Sequence, residues 1–300
     1  MKYYIGIDLG GTNVRVAKVD EEGRVVQDMI ERSYGSEGPR ERVRDIIFSM
    51  LDKVEGIREC EGIGIGVPGP VNVYEMVLPI SNNLEGFENY PLAQMIKERY
   101  GIPVYMDNDA NVAGLAEATL GAGRGYPVVY YVTHSTGVGG ALIIDGKVLD
   151  GQMGFAGEIG NIIIKDGCPK YSKYLNAGSI ESESSGTGMR RKAEAVYGEG
   201  ATAVTVFEKD LEGDPKAREL IDEMADNMGR LLATIGQIID PHVCVIGGGI
   251  SHSSDQYWPK MIETYHKYFN GIRYADVLRA ELAEPGVLGA AMLVREKGKV

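Results

Sequence analysis

Between Met106 and Val112 the chain reads Asp107-Asn108-Asp109-Ala110-Asn111, two carboxylates and two carboxamides within five positions. The segment follows the apolar run Val104-Tyr105-Met106 and precedes the small-residue run Val112 to Leu120. It therefore joins a strand to a helix and gathers polar groups at a helix amino terminus. A helix cap explains one of these residues but not all four. Moving a phosphoryl group onto a hydroxyl needs a carboxylate that orients the alcohol and accepts its proton as the new bond forms. Asp109 is the candidate base, Asn108 a candidate ligand for a substrate hydroxyl, and Asp107 a cap or supporting group.

Two glycine-rich turns could hold the phosphates. Asp8-Leu9-Gly10-Gly11-Thr12-Asn13 lies between the strand-like runs 3–7 and 14–19, and Thr133-His134-Ser135-Thr136-Gly137-Val138-Gly139-Gly140 between 128–132 and 141–144. Strand, glycine turn, strand describes a hairpin whose backbone N–H groups an anion can approach, because no Cβ stands in the way. Two such hairpins suggest two lobes gripping one polyphosphate, as in a nucleotide-dependent phosphotransferase. Gly10, Gly11, Thr136, Gly137 and Gly139 would line the phosphates. Thr12 offers a hydroxyl to a phosphate oxygen, and Asn13 a stabilised turn. Asp8 lies where a phosphate-bound Mg²⁺ would sit, an ion that keeps most of its waters and takes one or two carboxylates. The competing reading is a turn aspartate bonded to its own backbone. Arg15, at the start of an alternating strand, is given no role. In Gly154-Phe155-Ala156-Gly157-Glu158-Ile159-Gly160-Asn161, Glu158 and Asn161 suit a polyhydroxylated ligand, with an ordinary loop as the even alternative. Gly247-Gly248-Gly249-Ile250-Ser251 follows an apolar strand, and Gly248 and Gly249 would let an adenine or ribose come close.

These residues need elements to hold them. Beyond the first hairpin a third strand is expected over 25–32. A helix follows over 39–53, on the recurrence of Val43, Ile46, Ile47 and Met50, then a short strand over 62–67 broken by Pro68-Gly69-Pro70. A loop with Asn82, Asn83 and Gly86 leads to a helix over 91–100 and then to the strand and helix around Asp109. After Gly121 to Gly125 the order begins again. Two strands flank the second glycine turn, and a third is plausible over 161–165. A helical insertion falls within 186–213, and a long helix over 217–239. A strand over 243–246, a helix over 256–269, a strand over 277–281 and a helix over 287–294 close the chain. The repeat lies in the order of elements rather than in their residues. It predicts an α/β protein of two lobes with a cleft between them, each lobe a mixed sheet flanked by helices. The lobes are placed at 1–112 plus 286–300 and at 113–285, with a hinge near 111–121 and the last helix returning to the first lobe.

Three hundred residues, 44% of them hydrophobic, leave ample core for this arrangement. No apolar run approaches a membrane span, and a net charge of −12 lacks the basic footprint of a nucleic-acid binder. Neither a membrane nor a nucleic acid is therefore expected as a partner. A strand beginning at Tyr3 leaves no room before it for a signal peptide or a DNA-binding module. Cys60, Cys168 and Cys244, odd in number and far apart, read as reduced thiols of a cytoplasmic protein.

In combination and in this order, over essentially the whole chain, the motifs resemble the ROK family (repressors, open reading frames, kinases) of sugar kinases. That family belongs to the actin-like ATPase superfamily, whose lobes are ribonuclease H-like. Asp8 to Asn13 is similar to its first phosphate motif, Thr136-Gly137-Val138-Gly139-Gly140 to its second, and Gly247 to Ser251 to its adenosine motif. Asn108-Asp109-Ala110-Asn111 resembles the catalytic motif, whose aspartate is the general base. Gly64-Ile65-Gly66-Val67-Pro68-Gly69-Pro70 is similar to the strand and turn lining the sugar cleft, and Gly157-Glu158-Ile159-Gly160 to the sugar-binding loop. The resemblance implies ATP and Mg²⁺, with a hexose or related sugar held among Asn83, Asn108, Asp109, Glu158, Asn161 and Glu181. It also makes a homodimer an open expectation, although the aromatic stretch from Tyr257 to Phe269 reads as core. The chain departs from the family at one place. Asn161 stands where the family has a histidine that touches the sugar and binds zinc, and of the cysteines that follow only Cys168 remains, with Glu181 retained as the terminal glutamate. One thiol cannot complete a tetrahedral site, so no zinc is predicted. The lost histidine sets a keto-sugar, another hexose or a polyol beside glucose as the acceptor. The alternative is a sugar-binding regulator of the family without kinase activity. Asp8, Asp109 and both phosphate turns, which sugar binding alone would not need, speak against it.

Overall fold

The computed structural model describes residues 1–81, 83–152 and 154–298, so Asn82 of the expected loop lies outside the described residues. The chain forms two compact units. The first comprises 1–127, 141–156 and the residues from Glu281 onward; the second comprises 128–140 and 157–280.

In the first unit β1 (Tyr3–Leu9), β2 (Asn13–Asp20), β3 (Val25–Arg32), β4 (Ile63–Val67) and β5 (Val104–Asn108) form a sheet of order β3-β2-β1-β4-β5. The hairpin strands pair antiparallel, while β1, β4 and β5 run parallel. β3 shows the alternating exposure of an edge strand, whereas β4 is buried throughout. The alternation of glycine and isoleucine from Gly62 to Gly66 becomes intelligible here, because successive strand residues point to opposite faces. Ile63 and Ile65 join Ile5, Ile7 and Ile47 in the core, each contributing about 1.5–3 kcal/mol by burial. Gly62 and Gly64 face the last helix, α9 (Pro285–Lys297), while Gly66 faces Val112. A Cβ at Gly64 would overlap the Ala290 carbonyl oxygen, and one at Gly6 that of Val287. Helices α1 (Arg40–Leu51), α2 (Leu92–Tyr100) and α3 (Asp109–Thr119) belong to the same unit. Of the expected α1 stripe Val43, Ile47 and Met50 are buried and Ile46 is half-buried, with Leu51 buried beside them.

The second sheet contains β6 (Val128–His134), β7 (Val138–Ile144), β8 (Lys147–Val148), β9 (Val243–Gly247) and β10 (Asp276–Arg279) in the order β8-β7-β6-β9-β10. The second unit carries α4 (Ile180–Ser184), α5 (Gly186–Tyr197), α6 (Ala203–Leu211), α7 (Pro215–Ile239) and α8 (Trp258–Tyr268), with a 3-10 helix over Gly249–Gln256. Asp214 caps α7 by accepting from the Lys216 N–H, and Pro215 opens it, the position where its missing N–H costs least. Met261, Tyr265 and Phe269 are buried, in agreement with core for the aromatic stretch. The strand expected over 161–165 is absent. Ile164 and Lys165 donate to the Gly178 carbonyl and Ile163 forms an isolated bridge with Ser179, so this backbone closes a local loop instead of extending a sheet. Among the described residues no helix is long and apolar enough to cross a membrane.

Candidate functional site

Register sets the candidate residues of the first unit. Asp8 pairs with Gly66, and Gly66 with Asp107, so the two aspartates stand at one level on either side of β4. They lie where three parallel strands end, the edge at which open α/β sheets take their ligands. Asp8 is half-buried beside the first turn of α9, where a Cβ on Gly286 would come within 2.5 Å of its Oδ2. Burial raises the Asp8 carboxyl and Glu284 adds to the rise, while Arg15 opposes it. Arg15 is no solvated edge residue; it bridges Asp28 at 2.7 Å and Glu284.

The first glycine turn is tied from outside its hairpin. Gly10 N–H donates to the Asn13 carbonyl at 2.9 Å. Ser33 Oγ donates to the Gly10 carbonyl at 2.7 Å, Ser33 N–H to that of Thr12 at 2.8 Å, and Ser36 N–H to that of Gly11 at 3.0 Å. Three turn carbonyls are thus occupied and their lone pairs do not confront an anion. Sequence reasoning missed both serines, whose only local signal is a polar pair after β3. Neither Gly10 nor Gly11 has a left-handed φ. Gly11 is needed for close approach, since a Cβ would lie 2.8 Å from the Asn83 carbonyl oxygen. Thr12, Asn13 and Asn83 are exposed.

The helix expected from Val112 begins at Asp109, and its cap is Asn108, not Asp107. Asn108 Oδ1 accepts from the Ala110 N–H and Nδ2 donates to the Gly69 carbonyl, both at 2.8 Å. The candidate hydroxyl ligand is therefore also the clamp between β5 and the turn after β4. Asp107 was displaced as a cap because its side chain turns inward, accepting from Asn108 N–H at 2.7 Å and Asn111 Nδ2 at 2.8 Å. Asp109 is exposed between buried Asn108 and Ala110, and its Oδ1 accepts from the Ala110 N–H.

In the second unit β6 and β9 end together, with Thr133 paired to Gly247. Ser135 N–H donates to the Gly137 carbonyl, while Gly186 and Thr187 at the start of α5 donate to the carbonyls of Ser135 and Thr136. Gly137 permits the approach of Glu181, whose Oε2 would lie 2.7 Å from a Cβ there and accepts from the Val138 N–H at 3.0 Å. Gly139 sits within β7. Gly248 has φ +88° and packs against the His134 backbone, so here glycine is required by both dihedral and space. His134 itself is fully buried. Burial lowers its pKa to about 4, and as a neutral ring it donates from Nε2 to the Ser184 carbonyl at 2.7 Å.

Beside these turns lies a pocket of about 550 Å³ lined by Ser135, Thr136, Gly186, Thr187, Arg190, Thr202, Ala203, Val204, Phe207, Gly249, Ile250 and Ser253. Apolar walls with a few polar groups suit a flat heterocycle and its sugar. The amino end of α5, capped by Ser185, adds a dipole that favours anions. Gly248 and Gly249 pointed toward this region; Thr187, Arg190, Thr202, Val204 and Phe207 were missed, because helices α5 and α6 bring them from the segment read as an insertion.

Glu158 and Glu181 form an acidic pair in the same unit. Burial raises Glu158 and Glu181 adds to that; burial raises Glu181, opposed by its bond from Val138. Asn161 has both side-chain atoms engaged: Oδ1 accepts from Asn176 N–H at 2.7 Å, and Nδ2 donates to the Tyr174 carbonyl at 3.1 Å. The donors do not fit zinc. Asn161 is a carboxamide closing the 161–176 loop and Cys168 a single thiol, and among the described residues no three His, Cys, Asp or Glu side chains converge as a metal-holding group. Nearby, Lys192 bridges Glu183 and Glu223, and Lys165 also pairs with Glu223.

Comparison with known proteins agrees with this geometry. The chain is 29% identical over 310 residues to a glucokinase of Thermotoga maritima, covering 98% of this chain and 97% of that one. It is 32% identical over 274 residues to an N-acetyl-D-glucosamine kinase of Pectobacterium atrosepticum, covering 85% and 86%. Among solved structures, a ROK hexokinase from Thermus thermophilus superposes with a TM-score of 0.90 at 32% identity over 99% of both chains. A ROK family glucokinase from Streptomyces griseus, in complex with glucose and AMPPNP, superposes at 0.81 with 28% identity over 98% of this chain and 99% of that one. The two five-stranded mixed sheets flanked by helices are the actin-like ATPase fold of those kinases. The family model described as the ROK family matches residues 4–297, and the chain belongs to that family.

Proposed function

We propose that this protein transfers the γ-phosphoryl group of ATP to a hydroxyl of a hexose or related sugar, with Asp109 as general base. At the coarser level it is an ATP-dependent carbohydrate kinase of the ROK family. The observation that carries the finer reading is the placement of Asp109. It is an exposed carboxylate at the first residue of α3, between two buried neighbours, on the strand-end edge that also bears Asp8. A carboxylate so placed can accept the proton of an alcohol as it attacks phosphorus.

The first unit is assigned the acceptor's deprotonation. Asn108 and Asn83 would hold sugar hydroxyls, using the acceptor and donor capacity their present bonds leave. Asp8 fits Mg²⁺ as a single strand-end carboxylate, the remaining ligands being water and phosphate, and the bound ion would supply positive charge to the phosphate oxygens. The second unit is assigned the nucleoside, in the pocket between Phe207 and Gly249, and the phosphates, at Thr136, Gly137 and the amino end of α5. Glu158, Asn161 and Glu181 would contact the sugar. The carbonyl of each carboxamide accepts hydroxyls while its NH₂ donates, a pairing that suits vicinal diols. Relatives acting on glucose and on N-acetyl-D-glucosamine leave the acceptor within the hexoses and their derivatives.

The test is ATP consumption across hexoses, ketoses, amino sugars, sugar acids and polyols, followed by Asp109→Asn with the best acceptor. The substitution should lower kcat by about 10²–10⁴, the usual contribution of a positioned base, while sugar binding measured by calorimetry persists. Undiminished turnover in Asp109→Asn would refute the assignment.

A further inference from the structure

Adjoining the Asp107–Asn111 segment, wholly within the first unit, is a group of ionisable side chains that neither substrate is expected to touch. Asp107 is 1% exposed, and while its Oδ1 takes both the Asn108 and Asn111 donors, its Oδ2 has no partner among the described residues. Lys297, in the last turn of α9, pairs with Asp150 Oδ2 at 2.7 Å and lies 3.5 Å from Glu296 Oε1. Asp150 Oδ1 and Glu296 Oε2 are likewise buried without a partner. Three carboxyls thus share one ammonium in a poorly solvated place, where lone anions are costly.

We propose that Lys297, held by its ion pair with Asp150, is a positioning residue for catalysis: it supports the Asp107 carboxylate that fixes Asn108 and Asn111, and so aims Asp109. The inference rests on Asp109 being the base. Both groups bonded to Asp107 Oδ1 are donors, so the charged carboxylate, the stronger acceptor, holds them best. A proton on Asp107 would weaken both bonds at once and loosen the cap from which Asp109 projects. The charged groups facing Asp107 are Asp150, from the stretch after β8, and Glu296 and Lys297, from α9. Burial pushes Asp107 up to about 6 and Asp150 adds to the rise, while Lys297 opposes it. Burial likewise brings Glu296 to about 7, so the surplus negative charge is shed there first. As the pH falls below neutral, the Lys297 ammonium is thereby left to Asp150 and Asp107.

The experiment records kcat against pH at saturating ATP and sugar for Lys297→Met, Lys297→Arg, Asp150→Asn and Asp109→Asn in the intact chain, with KM and melting temperature alongside. Lys297→Met should lower kcat roughly tenfold, as small misplacements of catalytic groups do, with both KM values little changed. It should also move the acid limb upward by about one pH unit, because removing a nearby opposite charge favours the protonated carboxyl. Lys297→Arg should restore both. Asp150→Asn removes a like charge and should move the limb downward, which keeps the proposal testable should Lys297→Met fail to fold. A lowered melting temperature with kcat and acid limb unmoved would show a purely structural lysine and overturn the proposal. Normal turnover in Asp109→Asn would instead remove the base assignment, whereas an inactive Asp109→Asn beside unaltered Lys297 variants would remove this inference alone.

Discussion

The two sheets share one strand order, β3-β2-β1-β4-β5 and β8-β7-β6-β9-β10, yet the ends of their parallel strands carry opposite chemistry. The first edge bears Asp8, Asp107 and Asp109. The second bears His134, held neutral by burial, with glycines and hydroxyls around it. Its nearby carboxylate, Glu181, arrives from α4 and accepts a backbone N–H. A repeated topology supplies equivalent places, and the side chains at the strand ends then decide what each place does. A proton acceptor belongs where an alcohol must be activated. Where a polyanion is to be received without an intervening cation, a strand-end carboxylate would repel it.

Glycine substitution probes this contrast most severely. Gly248→Ala should destabilise the protein by about 3 kcal/mol or more, since it adds left-handed strain to a clash with the His134 backbone. Gly11→Ala meets one carbonyl oxygen with no dihedral strain and should cost about 1 kcal/mol. Urea unfolding of both variants gives the ranking, and equal losses would erase the distinction between the turns.

Acidification should pull the two units in opposite directions. Asp107 and Glu296 are raised from 3.8 and 4.5 to about 6 and about 7, so from pH 4 to 7 the native first unit keeps protons the unfolded chain has released. Its stability from these groups is greatest at low pH and falls as pH rises. His134 drops from 6.5 to about 4, so between those values the unfolded chain binds a proton the native ring refuses. That contribution falls as pH falls, by on the order of 3 kcal/mol. Unfolding measured at pH 4.5, 5.5 and 6.5 should show His134→Gln flattening the positive slope and Asp107→Asn the negative one. Slopes untouched by either change would contradict the burial argument.

The mildest change lies in the pocket assigned to the nucleoside. Phe207→Ala should raise KM for ATP about tenfold, in line with about 1–3 kcal/mol for a base packed on an aromatic ring, and leave KM for the sugar unchanged. Steady-state kinetics with each substrate varied in turn distinguishes this from a general loss of fold.

Much of this organisation was legible before any coordinates. Helix α1 was announced by Val43, Ile47 and Met50, and β4 by alternating isoleucine and glycine. Both hairpins were marked by apolar runs around glycines, and the strand-to-helix junction by its cluster of polar residues. These signals succeed because they depend on neighbours two to four positions away, whose periodicity is set by backbone geometry. Position 161 shows where such signals run out. Its amide suggested a sugar ligand, and nothing local showed that the same amide also bonds across to 174 and 176, keeping one donor hydrogen and one lone pair for a ligand. The strand expected over 161–165 did not form, because the backbone N–H groups of Ile164 and Lys165 go to the Gly178 carbonyl instead of to a sheet.

Local pattern alone established most of the element order, the two glycine hairpins and the identity of Asp109 as the residue to test. Three-dimensional packing was needed to bring Arg190 and Phe207 beside Gly249, to tie Ser33 to the Gly10 turn, and to set Lys297 and Asp150 near Asp107. Those partners are separated by about twenty to nearly two hundred positions, a distance over which no backbone repeat carries information. Their meeting is dictated by which faces must be buried together, and burial is a property of the folded chain as a whole.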